Sequence, residues 1–168
     1  MPKHLYLFRH AEAVGKESRQ EDKARELSQT GVKKSLHMGA WFLEQKFHFD
    51  VIISSSATRT EQTATLAAEA MKLENPKVIL EDILYEASLR QFLDYLNNNI
   101  EDAYRHVLCV GHNPVISYLA EYLTKAEMGE MTPGGVAIIK FDITSWKEVS
   151  ENNGELVNYV TPEMIARY

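Results

Sequence analysis

Two histidines and two arginines stand where short apolar runs of this chain end. The combination is an imidazole nucleophile or base set among cations, which suits attack on an anionic group. Leu5-Tyr6-Leu7-Phe8 reads as a buried strand, and Arg9-His10-Ala11-Glu12-Ala13 follows it directly. His106-Val107-Leu108-Cys109-Val110-Gly111 is a second such run, ending at His112 and then Asn113-Pro114. Arg59 comes after the strand Asp50-Val51-Ile52-Ile53, within Ser54-Ser55-Ser56-Ala57-Thr58-Arg59-Thr60. It falls in the first turn of the next helix, where the helix dipole disfavours a cation, so an anion is expected beside it. One histidine at a strand end is more often a hydrogen-bonded structural residue than a catalyst. The set of four is what lifts these positions above that expectation.

Ligands of open α/β sheets bind outside the carboxyl ends of the strands. Right-handed crossovers would bring the ends of Phe8, Ile53 and Val110 to one sheet edge, so that His10, Arg59 and His112 converge with Arg9. Such a pocket offers donors and positive charge to the three equatorial oxygens of a transferring phosphoryl group. The turn Ser54–Ser56 adds hydroxyls and backbone N–H groups at a helix start, which makes Ser54 a candidate substrate contact and one serine a plausible cap. Neighbouring arginines would keep His10 neutral, while His112 could be protonated and act as a further donor.

Arg9-His10-Ala11, then Ser-Ser-x-x-x-Arg59 with Gln62-Thr63, then Gly111-His112-Asn113-Pro114, resemble the histidine phosphatase superfamily, nearest its small SixA-type phosphohistidine phosphatases. The likeness covers nearly the whole chain in the right order. It departs at Ala11, where the family usually has glycine; a small side chain fits there unless the backbone needs positive φ. The resemblance implies that His10 is the nucleophile that becomes phosphorylated, that Arg9, Arg59 and His112 hold the phosphate, and that water then hydrolyses the intermediate. It also places Arg25, in Arg25-Glu26-Leu27-Ser28, beside the site as a possible substrate contact. Glu86, in Leu84-Tyr85-Glu86, matches the position of a proton donor in larger members; it equally reads as a carboxylate favoured near a helix start. No cofactor and no metal are implied. The expected substrate is phosphohistidine on a partner protein, because so short a chain has little room for the insertions that enclose sugar phosphates. A small phosphate ester is the alternative.

Composition limits other readings. At 168 residues, with 45% hydrophobic and 25% charged, the chain is long enough for one domain over 1–168 with a sizeable core. A net charge of −6 argues against non-specific nucleic-acid binding, so anion binding must come from a local cluster. No apolar run approaches the ~20 residues of a membrane span, and no signal-peptide pattern opens the chain, so a cytoplasmic address without membrane contact is expected. Cys109, the only cysteine, lies in an apolar strand pattern and reads as an inert core thiol; Val115 stands where a cysteine phosphatase needs arginine. A metal hydrolase using His10 and His112 is disfavoured, since Arg9 and Arg59 would repel a divalent cation. A phosphate-sensing module without catalysis is the remaining competitor.

The elements that must position these residues alternate between strand and helix. Ser28 is expected to cap a helix to about Lys46, with Val32, Leu36, Ala40, Leu43 and Phe47 inward and Trp41 and Phe42 widening that face. His37 and His48 read as surface or structural residues. A helix is expected over Ala57–Leu73, a strand over Lys77–Leu80, and a Ser88-capped helix with Leu89, Phe92, Leu93 and Leu96 inward. Asn113 is expected to cap the next helix with Pro114 at its first position. After the turn Thr132–Gly135, Val136–Ile143 and Leu156–Val160 form a hairpin through Asn152-Asn153-Gly154. The fold class is therefore a three-layer α/β/α sandwich, mostly parallel, with an antiparallel C-terminal hairpin and with the strands ending at Phe8 and Val110 adjacent. The resemblance implies the phosphoglycerate mutase-like version of it.

Overall fold

In the computed structural model, which describes residues 1–166, alternating strands and helices build one mixed sheet between helical layers. The strands are β1 (Lys3–Arg9), β2 (Val51–Ser55), β3 (Val78–Glu81), β4 (His106–Gly111), β5 (Val136–Phe141) and β6 (Gly154–Val160). The helices are α1 (Gln29–Glu44), α2 (Thr58–Ala70), α3 (Leu89–Asn99), α4 (Val115–Thr124) and the short α5 (Pro162–Ile165). The strand order is β3-β2-β4-β1-β5-β6, with β3, β2, β4 and β1 parallel and β5 and β6 antiparallel. β1 and β4 are neighbours in the register Phe8↔Val110 and Arg9↔Gly111, as expected, so their carboxyl ends lie side by side.

Both faces of the central strands are covered, which is why their sequences are continuous apolar runs. Leu5 and Leu7 of β1, with Val107 and Cys109 of β4, face Phe92 and Leu96 of α3 and Ile116 and Leu119 of α4. Tyr6, Phe8, Leu108 and Val110 face the other way, against Met38 and Phe42 of α1 and Ala64 and Ala67 of α2. Cys109 is fully buried, and burial pushes its thiol up to about 12, out of nucleophilic range. Ser88 caps α3 in a capping box with Gln91, and Phe92 and Leu96 are buried as expected.

Three local expectations are corrected. The inward face of α1 is Gly31, Ser35, Met38, Gly39 and Phe42, while Ala40 and Leu43 are exposed and Val32, Leu36, Trp41 and Phe47 only partly buried. Close helix contact decides this: a Cβ at Gly39 would lie 2.3 Å from the Ala67 carbonyl oxygen, so α1 turns its glycine toward the backbone of α2. Second, α2 ends at Ala70 and is preceded by Ala57, with no serine side chain capping it. Third, Asn113 does not cap α4, since its side chain accepts from the Ser117 hydroxyl and Pro114 is the residue before the helix. His112 is nonetheless tied to that helix start, because its carbonyl accepts the Ile116 N–H at 2.9 Å. Among the described residues no helix is long and apolar enough to cross a membrane.

Candidate active site

His10 is fixed by backbone bonds from three directions. Its N–H donates to the Gly111 carbonyl of β4 at 3.1 Å, and the Gly134 N–H donates to the carbonyls of both Arg9 and His10 at 3.1 Å each. Gly134 has φ +81°, a conformation that glycine takes without strain in the turn before β5. From the other layer, Thr63 Oγ1 of α2 accepts the Ala11 N–H at 3.1 Å. Ala11 is buried without positive φ, so alanine is accommodated where the family usually has glycine.

The ring of His10 is oriented by its neighbour. Nδ1 lies 2.7 Å from the Ala11 carbonyl oxygen, which can only accept, so Nδ1 carries the proton and Nε2 presents the lone pair. The His10 pKa is lowered to about 4, first by burial and with Arg59, Arg9 and Arg25 adding to it, against the opposing effect of the Ala11 bond. Neutral imidazole is therefore its form at neutral pH.

His112 stands 5.4 Å from His10 between ring centroids, inclined at 61°, close enough for one phosphoryl group to reach both with contacts of ~3 Å. Its Nε2 is 2.8 Å from Ser55 Oγ, which also accepts the Ala57 N–H at 3.3 Å. With the Ser55 hydroxyl donating to Nε2, the His112 proton sits on Nδ1. That Nδ1 is buried and has no hydrogen-bond partner among the described residues. Burial first, then His10 and Arg59, lower the His112 pKa to about 3, against a smaller opposing effect of Asp22. His112 is therefore neutral rather than protonated, but its Nδ1–H remains a donor.

The arginines complete the set. Arg9 donates from Nη1 to the Met131 carbonyl and lies 3.7 Å from Glu130. Arg59, only 6% exposed, donates from Nη1 to the Asp22 carbonyl at 2.7 Å and from Nη2 to Asp22 Oδ2 at 3.3 Å. The anion expected beside Arg59 is thus present, as Asp22. The Nε of each arginine is buried and unpartnered, like His112 Nδ1. A buried unsatisfied donor costs ~1–3 kcal/mol, so an oxyanion that reached these groups would be held favourably.

A model of the histidine phosphatase superfamily (branch 1) matches residues 5–104. The chain belongs to the histidine phosphatase superfamily. It is similar to the phosphohistidine phosphatase SixA of Escherichia coli K12, with 24% identity over 139 residues, covering 82% of this chain and 85% of that protein. The SixA homolog of Haemophilus influenzae is 28% identical over 147 residues, covering 82% and 88%. The structure of the protein histidine phosphatase SixA complexed with tungstate shares the fold, with a TM-score of 0.82 and 21% identity over 97% of this chain and 99% of that one. This superfamily member is a phosphatase, a hydrolase of the SixA type.

Arg9, His10, Arg59 and His112 are brought together, whereas the other candidates are placed differently. Ser54 is fully buried and spends its hydroxyl on the Ser55 carbonyl at 2.8 Å; Ser55 is the serine that meets His112. Alternation along β2 separates the two, but only the packed layers say which parity faces the histidine. Arg25 donates to Val14 O at 2.7 Å and to Asp22 Oδ1 at 2.9 and 3.1 Å, and is near enough to His10 to lower its pKa. Glu86 is exposed and makes no hydrogen bond or ion pair among the described residues. Sequence reasoning missed Ser55, Asp22 and Tyr85. Nothing in their spacing marks Asp22, which sits in a charged polar stretch, or Tyr85, which precedes the glutamate that drew attention.

Proposed function

We propose that this phosphatase removes phosphate from phosphohistidine on a partner protein, through a phosphohistidine formed at His10 and without a metal. The observation that carries it is the Nδ1 to Ala11 carbonyl bond of 2.7 Å, which leaves the Nε2 lone pair of His10 free beside His112 and within the influence of Arg9 and Arg59. In the first step Nε2 bonds to phosphorus while the bond from phosphorus to the substrate imidazole breaks, and that imidazole leaves carrying a proton. Arg9, Arg59 and His112 hold the equatorial oxygens, where charge is spread in the transition state. In the second step water bonds to phosphorus, the bond to Nε2 breaks with its electron pair returning to the imidazole, and the proton lost by the water passes to a phosphate oxygen, so that phosphate and neutral His10 are released.

A protein-borne substrate is supported by the short chain, which we read as one catalytic domain over 1–168, and by similarity over most of its length to phosphohistidine phosphatase SixA. The cationic setting favours direct attack over metal assistance, because Arg9 and Arg59 would repel a divalent ion. The test compares rates on phosphohistidine-bearing carrier proteins with rates on sugar phosphates, in excess EDTA, for wild type and His10→Ala. Preference for the carrier proteins, an acid-labile and base-stable phosphoenzyme, and loss of turnover in His10→Ala are expected. A strong preference for a sugar phosphate would overturn the substrate; an acid-stable adduct would overturn the nucleophile.

A further inference from the structure

We propose that Asp22, clamped by Tyr85, is a positioning residue that orients Arg59 and Arg25 toward the phosphoryl group bound beside His10. Asp22 comes from a short turn, Asp22–Ala24, in the loop between β1 and α1, far along the chain from Arg59 and Tyr85. It accepts at every available oxygen. Its carbonyl and Oδ2 take the two terminal nitrogens of Arg59, at 2.7 and 3.3 Å, while Oδ1 takes Nε and Nη2 of Arg25, at 3.1 and 2.9 Å. The Tyr85 hydroxyl donates to Oδ2 at 2.5 Å, and the Tyr85 ring stands edge-on to His112 at 5.7 Å.

Two consequences follow from this geometry. Arg59 and Arg25 are like charges that would repel at close range, and one carboxylate between them lets both remain near His10. Because Asp22 takes one N–H from each terminal nitrogen of Arg59, its guanidinium plane is fixed, and the buried Nε–H and the second N–H of each terminal nitrogen are left for another acceptor. Tyr85 then ties the orientation of Arg59 to that of His112, since one side chain meets Asp22 through its hydroxyl and His112 through its ring. Lys23 fastens the same turn from outside, with its ammonium 5.6 Å from the Tyr85 ring centre and 3.2 Å from Asp82. Asp22 touches no reacting atom in this scheme and acts through the arginines.

Simple electrostatics and positioning predict opposite signs for Asp22→Asn. Removing a negative charge from the pocket should tighten anion binding, whereas loosening Arg59 should weaken it. The proposal rests on the reading of His10 as nucleophile, so the test has one arm that needs turnover and one that does not. Binding of inorganic phosphate by calorimetry and hydrolysis of phosphoramidate are measured for wild type, Asp22→Asn, Tyr85→Phe, Arg59→Ala and the double variant Asp22→Asn with Arg59→Ala. Asp22→Asn is expected to weaken phosphate binding by about 3-fold or more and to lower kcat by about 10-fold. Tyr85→Phe should act in the same direction and less. In the Arg59→Ala background the Asp22→Asn effect should shrink on both readouts, to the part that runs through Arg25. Tighter phosphate binding in Asp22→Asn, or an undiminished effect in the Arg59→Ala background, would overturn the proposal. Absence of phosphoramidate turnover in the wild type would instead count against the nucleophile reading, and the binding cycle would still decide the role of Asp22.

Discussion

A neutral imidazole at His10 is produced by the protein rather than by the pH of the medium. At pH 5 an ordinary histidine with a pKa of ~6.5 is almost wholly protonated. With the His10 pKa depressed to about 4 by burial and by Arg59, Arg9 and Arg25, most of it stays neutral. Imidazole proton shifts followed by NMR should show His10 and His112 almost untitrated between pH 7 and pH 5. Titration of His10 near pH 6.5 would mean that the site is wetter and less cationic than described. A second expectation concerns Glu86, which is exposed and makes no hydrogen bond or ion pair among the described residues. An alkoxide leaving group needs a proton, for which a positioned acid contributes ~10²-fold or more, whereas a protonated imidazole does not. Glu86→Gln should therefore change phosphohistidine hydrolysis by less than about 2-fold, even if Glu86 acts as the acid for alkyl phosphates. A large fall on phosphohistidine itself would give Glu86 a place in the reaction proposed here.

The elements that hold these residues do so by close backbone contact. β1 brings Arg9 level with Gly111 of β4, and α2 supplies Thr63 to the Ala11 N–H, so displacement of α2 moves the nucleophile loop. The position of α2 depends in turn on α1, which meets it through Gly39. Gly39→Ala would gain ~1 kcal/mol of helix propensity in isolation. Here the added Cβ meets the Ala67 carbonyl at 2.3 Å and the Ala70 methyl at 2.8 Å, so the helices must separate. A net loss of ~1–3 kcal/mol is expected, the usual scale of overpacking, read from the midpoint of urea unfolding. An unchanged or raised midpoint would show that the two helices can slide apart without cost.

Over the whole molecule the depressed histidines make stability depend on pH. In the unfolded chain His10 and His112 take up protons near pH 6.5, but in the native state only near about 4 and about 3. Between these limits the unfolded state binds more protons, so stability falls as pH falls, by up to ~1.4 kcal/mol per pH unit for each group. Asp22 is also depressed, first by the Tyr85 hydroxyl and with further help from Arg25 and Arg59, but as a carboxylate it acts only below the usual carboxylate range. The Tm should therefore drop between pH 6.5 and 4.5, and His10→Ala should flatten that dependence. Equal slopes for the variant and wild type in scanning calorimetry would contradict the burial of His10 as the cause.

The sequence by itself determined the alternating elements, the adjacency of the strands ending at Phe8 and Val110, and the gathering of Arg9, His10, Arg59 and His112 at one edge. These were legible because a buried strand must be continuously apolar, and because crossover handedness leaves few ways to place the residues after it. Ser88 as a cap was legible for a similar reason, since its partners lie within one helical turn. What only the tertiary structure decided is everything that depends on a rotation or on a distant partner. Hydrophobic spacing finds a helix but not its contact face when glycines make the closest approach, so α1 lay turned from its expected face. Period-two alternation separates Ser54 from Ser55 without saying which of them meets His112. The tautomers of both histidines and the pairing of Asp22 with Arg59, Arg25 and Tyr85 come from groups brought within hydrogen-bond reach by the packing of the loop and helices. Hydrogen bonds act over a few ångströms in space, and a linear chain does not carry that distance for residues 37 or 63 positions apart.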